Sequence, residues 1–248
     1  MTSEYAEQLG ILDYGTFEVA EDGRRIPIVG YVVVAGERVV LVDTGFPRSY
    51  HEDAEGAGRR DGLDAFGRVV SLASANLPSS QLALVGIRPE DVTDLVITHG
   101  DIDHVGGLHE FPQATLVVSR AELESGPPRY FGEVRPERWP SASRYVLAEG
   151  DMELAPGVTL LATPGHSPGH LSLLVRLRES GAFLLAGDAI SREVELETRL
   201  NGGAWCKESA RASADRLLRI AADEPALLVY GHDPKQWQML PRVPHLYR

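Results

Sequence analysis

Cysteine is nearly absent: Cys206 is the only one in 248 residues. That excludes an intrachain disulfide and a Cys-rich zinc ribbon. Long apolar runs are missing as well. The longest, residues 31–35 and 39–42, are strand-length, far below the roughly 20 residues that a membrane-spanning helix needs. Positive charge is in deficit, with 24 basic against 36 acidic side chains and a net charge of −12. An acidic surface repels phosphate backbones, which opposes nucleic-acid binding. The opening MTSEYAEQLG carries glutamates and no apolar core, unlike a signal peptide, so a cytoplasmic protein is expected. No repeat of fixed period and no low-complexity linker divides the chain.

What is present is ordinary globular composition, 43% hydrophobic and 24% charged, in a chain long enough to bury a core. IPIVGYVVVAGERVVLVDTG, starting at Ile26, sets two β-branched runs around Ala35-Gly36-Glu37, a hairpin pattern. Residues 46–62 are polar and Gly-rich and read as a loop. Leu63, Phe66, Val70 and Ala73 share one face of a helix expected over 63–75. Pro89-Glu90-Asp91 suits the first turn of another short helix. Strands are expected at 94–98, 115–119, 158–163, 171–177, 183–186 and 226–230, and a helix over 208–222 with Ala210, Ala214, Leu217, Leu218 and Ala221 as its apolar stripe. Mixed strands and helices point to one α/β domain over residues 1–248, its core at about 26–240. Residues 125–145, with Tyr130, Phe131, Trp139 and Tyr145, follow neither period. That segment reads as a lid or substrate wall, or equally as a surface loop pinned by its own aromatics.

Several apolar strands end in a histidine or an aspartate: DLVIT in His99, VTLLAT-Pro-Gly in His166, FLLAG in Asp188, ALLVYG in His232. Side chains at strand ends on one sheet edge converge, and α/β folds put their sites there. For any one of them a capped turn or a satisfied core side chain would suffice. His99-Gly100-Asp101-Ile102-Asp103-His104 changes the balance, because it packs four metal-capable side chains into six residues. Imidazoles and carboxylates without thiolate suit zinc, iron or manganese at a working site rather than a structural zinc.

Taken together, Asp43-Thr44-Gly45, THGDIDHVGG (98–107), TPGHSPGH (163–170), Gly187-Asp188 and Gly231-His232 resemble the metallo-β-lactamase superfamily. The resemblance implies a four-layer αββα sandwich with two divalent metal ions, most often zinc, at one edge of the paired sheets. It implies one metal held by His99, Asp101 and His166, the other by Asp103, His104 and His232, and Asp188 bridging them. A metal-bridging hydroxide would be the nucleophile, Asp103 the catalytic proton shuttle, and Asp43 a support for a ligand imidazole. His170 reads as structural or supporting; His51, His109 and His245 have no motif behind them. The family pattern is H-x-H-x-D-H, whereas this chain has Asp101 at the second histidine. A carboxylate there is harder, raises the pKa of bound water and admits iron or manganese; a site running on one metal is the alternative.

Chain length, FPQATLVVSRAEL (111–123) and the tail YGHDPKQW look most like the N-acyl homoserine lactonases. That implies a hydrolase acting on a lactone or ester bond of a small molecule. No G-x-S-x-G elbow is present, which argues against a serine esterase. Those lactonases usually carry a tyrosine three residues past the bridging aspartate; here Ser191 stands there. Pocket walls are expected from 46–76 and 125–145. The competing readings are an iron-dependent oxygen- or sulfur-handling enzyme on the same fold and a non-catalytic metal-binding module. Composition leaves open whether the chain forms a homo-oligomer.

Overall fold

The computed structural model describes residues 4–126, 139–141, 144–198 and 203–248. One sheet is built from β1 (Gln8–Val19), β2 (Arg25–Ala35), β3 (Arg38–Val42), β4 (Gly67–Ser71), β5 (Asp94–Val96), β6 (Thr115–Ser119) and β7 (Tyr145–Ala148), in the order β4-β1-β2-β3-β5-β6-β7. The second holds β8 (Met152–Ala155), β9 (Val158–Ala162), β10 (Leu171–Leu177), β11 (Gly181–Leu185) and β12 (Ala226–Val229), in the order β12-β11-β10-β9-β8.

Strand periodicity assembles the layers. Along β2, Val29, Tyr31 and Val33 face one way and Ile28 and Val32 the other, the alternation that a pleated strand imposes. The first set meets Leu160, Leu173, Val175 and Leu185 between the sheets. The second packs with Leu41, Leu95 and Leu116 against Tyr50, Leu82, Ile102 and Val105 on the outer side. Beyond the other sheet, Leu161, Leu174 and Leu184 cover Leu217 of the helix Lys207–Asp223. Helices, sheet, sheet and helices make the four-layer αββα sandwich. Each fully buried Val, Leu or Ile contributes about 1.5–3 kcal/mol relative to exposure. Both faces of the paired sheets are covered, which is why their strands read as nearly continuous apolar runs.

The hairpin of β2 and β3 forms around Gly36 and Glu37, with Ala35 opposite Arg38. The helix expected over 63–75 is not there. A 3-10 turn, Leu63–Ala65, leads into β4, whose Val69 pairs with Phe17. Two adjacent valines pair more favourably with an open strand than they stack along an exposed helix. Conversely, 46–62 contains the helices Ser49–Glu52 and Ala54–Asp61. The Asp53 carboxylate accepts the Gly56 N–H at 2.9 Å, capping the second of them. β1 carries no clear strand signature, because Gly10, Asp13 and Gly15 interrupt its alternation, and its register shifts between Asp13 and Thr16. Tyr130 and Phe131 lie outside the described residues. Trp139 donates to the Gly126 carbonyl at 2.7 Å and Tyr145 to that of Pro140 at 2.7 Å.

Candidate metal centre

Direction of travel sets the site. β3 and β5 run parallel, so both deliver their carboxyl ends to the same edge. In the second sheet β9 and β11 are each antiparallel to β10, and β12 is parallel to β11, so these three also end together. Asp43, His99, His166, Asp188 and His232 follow the ends of those five strands. Asp101, Asp103 and His104 come from the turn after β5, where Asp101 precedes the one-turn helix Ile102–Val105.

The ligand-capable atoms converge. His166 Nε2 lies 3.0 Å from Asp101 Oδ2, and His99 Nε2 lies 3.4 Å from the same oxygen. His104 Nε2 and His232 Nε2 are each 3.6 Å from Asp103 Oδ2. Asp188 sits between the groups, its Oδ1 3.1 Å from His232 Nε2 and 3.5 Å from His104 Nε2, its Oδ2 3.7 Å from His166 Nε2. Three overlapping sets could each hold an ion: His99, Asp101 and His166; His99, His104 and Asp188; Asp103, His104 and His232. His99 Nε2, His104 Nε2 and Asp188 Oδ1 are buried without a hydrogen bond. Buried polar atoms left unsatisfied are costly, and three aimed at one point fit a cation there.

The far sides of three rings, His99, His104 and His232, are tied down, which fixes their tautomers. His104 Nδ1 donates to Asp43 Oδ2 at 2.8 Å, and His232 Nδ1 to the Pro27 carbonyl at 2.8 Å. His99 Nδ1 donates to Thr98 Oγ1 at 3.1 Å, and that hydroxyl donates to Asp43 Oδ2 at 2.8 Å. His170 accepts the Asp188 N–H on Nε2 at 3.0 Å and donates from Nδ1 to Thr163 Oγ1 at 2.9 Å. It therefore supports the Asp188 backbone and offers the ions nothing. His51 bonds the Leu72 carbonyl at the surface, and His245 packs edge-on against Tyr247.

Glycine lets the loops meet. A Cβ on Gly106 would lie 2.0 Å from the Phe46 carbonyl carbon and 2.1 Å from the Pro47 nitrogen. That contact brings Asp43-Thr44-Gly45 onto the ligand turn, where Gly106 N–H donates to the Gly45 carbonyl at 2.8 Å and Gly107 N–H to Thr44 Oγ1 at 2.9 Å.

Electrostatics follow from seven titratable groups in little space. Burial pulls the His104 pKa down, but Asp103, Asp43 and Asp188 outweigh it and hold the imidazole well above its ordinary value. Burial also opposes protonation of His232, yet Asp188 and Asp103 push it up to about 9. Burial raises Asp188, whereas His232, His104 and His166 outweigh it and hold the carboxyl well below the usual range. For His170, burial and then the His99 and His166 charges keep the ring neutral.

Above the cluster opens a cleft of about 480 Å³. Asp101, Asp103, His166, Asp188 and His232 form its floor; Phe17, Phe46, Leu63 and Phe66 line one wall; Ser191, Arg192 and Arg24 lie among the polar lining. Phe46, Leu63 and Phe66 belong to the expected wall segment 46–76, while Phe17 and Arg24 come from β1 and the turn after it, which carry no chemical motif.

The family described as the Metallo-beta-lactamase superfamily matches residues 23–232. An N-acyl homoserine lactonase of Bacillus cereus is 33% identical over 213 residues, covering 85% of this chain and 83% of its own. The N-acyl homoserine lactonase AttM of Azorhizobium caulinodans is 34% identical over 179 residues, 68% of each chain. Among solved structures, an N-acyl homoserine lactone hydrolase with the product N-hexanoyl-L-homoserine bound at its catalytic metal center superposes with a TM-score of 0.85 at 28% identity, over 98% of this chain and 100% of that one. A B. thuringiensis AiiA variant with N-decanoyl-L-homoserine at its active site gives a TM-score of 0.86 at 28% identity, over 98% and 100%.

Proposed function

Because the chain belongs to the metallo-β-lactamase superfamily, we propose that it is a metal-dependent hydrolase that opens the ring of N-acyl homoserine lactones, a quorum-quenching activity. The observation that carries this reading is the convergence of four imidazoles and three carboxylates beneath a half-apolar cleft, in a chain whose relatives are lactonases.

His99, Asp101 and His166 would hold one divalent ion and Asp103, His104 and His232 a second, with Asp188 shared between them. Zinc suits the imidazoles, and the carboxylate of Asp101 admits iron or manganese. When bound, such ions polarise a carbonyl oxygen and make water acidic enough to attack it near neutral pH.

The chain's own residues do the rest. Phe17, Phe46 and Phe66 take the acyl chain along the apolar wall, leaving the lactone over the carboxylates. Water gives a proton to Asp103 as its oxygen adds to the carbonyl carbon, the ring C–O bond breaks, and Asp103 passes that proton to the departing alkoxide. Asp43 and the Pro27 carbonyl keep His104 and His232 in one tautomer throughout. Ser191, three residues past Asp188, lines the cleft where the lactonases carry tyrosine. Its hydroxyl reaches less far, so substrate preference shifts relative to those enzymes.

Acid release from N-hexanoyl homoserine lactone, followed with a pH indicator on chelator-treated and zinc-reloaded protein, tests the reading. Hydrolysis should appear only with metal and exceed that of a simple aryl ester. A reloaded protein that leaves the lactone intact overturns the assignment.

A further inference from the structure

Glu122 is 2% exposed, and no motif pointed to it. It lies in the short helix Arg120–Glu124, after β6, and its N–H is capped by Ser119 Oγ at 3.0 Å. Its carboxylate accepts three hydrogen bonds: from Gly100 N–H to Oε1 at 2.9 Å, and from Ser167 Oγ at 2.7 Å and Gly169 N–H at 3.0 Å to Oε2. All three donors belong to the two ligand-bearing loops. Gly100 separates His99 from Asp101, and Ser167 follows His166. Those neighbours are the members of one ion-holding set. Asp43 holds His104 of the other set directly and reaches His99 only through Thr98 Oγ1.

The packing is as close as the hydrogen bonding. A Cβ on Gly169 would lie 2.0 Å from Ser119 Oγ and 2.2 Å from the Glu122 nitrogen, so the TPGHSPGH loop rests directly on the turn that carries Glu122. A buried carboxylate is expensive unless donors surround it, and charge-assisted bonds to N–H and O–H groups are about twice as strong as neutral ones.

We propose that Glu122 is a positioning residue for one metal site alone: it clamps the 99–101 turn to the 166–169 loop so that His99, Asp101 and His166 converge before an ion arrives. This rests on the two-ion reading above. Glu122 would thus serve the first ion alone, whereas Asp43, which holds His104 directly and His99 through Thr98, would serve both. Glutamine at 122 keeps the shape but turns one carboxylate oxygen into a donor, which must then face an N–H or O–H that is itself donating.

Cobalt(II) titrated into metal-free wild type, Glu122→Gln and Asp43→Asn, read by calorimetry and visible absorption beside a thermal melt, tests this. Wild type should take up two ions. Glu122→Gln should weaken one binding step by about 10- to 100-fold, the usual loss when a ligand's support is removed, and leave the other nearly unchanged; Asp43→Asn, whose carboxylate holds a ring of each set, should weaken both steps. Both steps unchanged in Glu122→Gln, or both falling together, overturns the proposal. If that variant does not fold, Ser167→Ala removes one bond of the three and should show the same selective loss on a smaller scale; no selectivity there overturns it equally. A wild type that binds fewer than two ions overturns the two-ion reading and this inference with it.

Discussion

Asp103 has its Oδ2 3.6 Å from two imidazole nitrogens and also lines the cleft, so it can both ligate and carry a proton. Asp103→Asn keeps the shape and loses the proton-carrying group. It should fold normally and lose about 10²-fold or more in kcat, measured on lactone with metal content determined on the same sample. Turnover near wild type would remove Asp103 from proton transfer. His232 supports a prediction in pH. Its metal-free pKa is pushed up to about 9, whereas an imidazole ligates only when neutral, so ions compete with protons at every pH below that value. Apparent affinity should fall by about tenfold per pH unit for each proton displaced, and ion uptake at pH 7 should release protons that a weakly buffered titration counts. With its folded pKa raised, His232 contributes stability to the metal-free protein below its ordinary value of 6.5, and that contribution is lost as pH rises towards 9. At this scale the sequence was most legible, since the His and Asp side chains that the structure brings together follow the ends of strands. Glu122 was not legible, because two of its three partners are backbone N–H groups that every non-proline residue carries.

Elements were legible where one face or both were apolar without interruption. The β2–β3 hairpin and the helix Lys207–Asp223 lie where their patterns put them. β4 is hidden in the sequence because Leu63, Phe66, Val70 and Ala73 also satisfy a helical spacing, and only pairing with β1 selects the strand. The Gly-rich stretch before it is helical because Asp53 caps it and tertiary packing buries Ala57. Gly106 acts at this level, where the helix Ile102–Val105 meets the loop after β3. Gly106→Ala would force a methyl to 2.0 Å from the Phe46 carbonyl carbon. Overpacking of this kind costs about 1–3 kcal/mol, so the denaturant midpoint should drop, and ion binding with it, because Asp43 rides on the displaced loop. An unchanged midpoint would show that the loop yields freely.

For the whole molecule, the net charge of −12 favours cations over anions near the surface, in keeping with a site that collects three aspartates. Among the described residues no helix is long and apolar enough to cross a membrane. The site joins the edges of both sheets, so an ion bound there would brace the two halves of the sandwich. At 100 times its dissociation constant, one ion adds about 2.7 kcal/mol, so chelation should lower Tm by several degrees and zinc should restore it. A Tm indifferent to chelator would mean that the ions do not couple the sheets. By itself the sequence determined which side chains could ligate and that they stand after strands, because residue type and hydrophobic period are local properties. Only the tertiary structure decided that those strand ends share one edge, that the imidazole Nε2 atoms face inward, and that Asp43 bonds the rings while Glu122 bonds the loops that carry them. Those outcomes depend on strand direction, sheet stacking and backbone hydrogen bonds between segments far apart in the chain, and no local pattern encodes them.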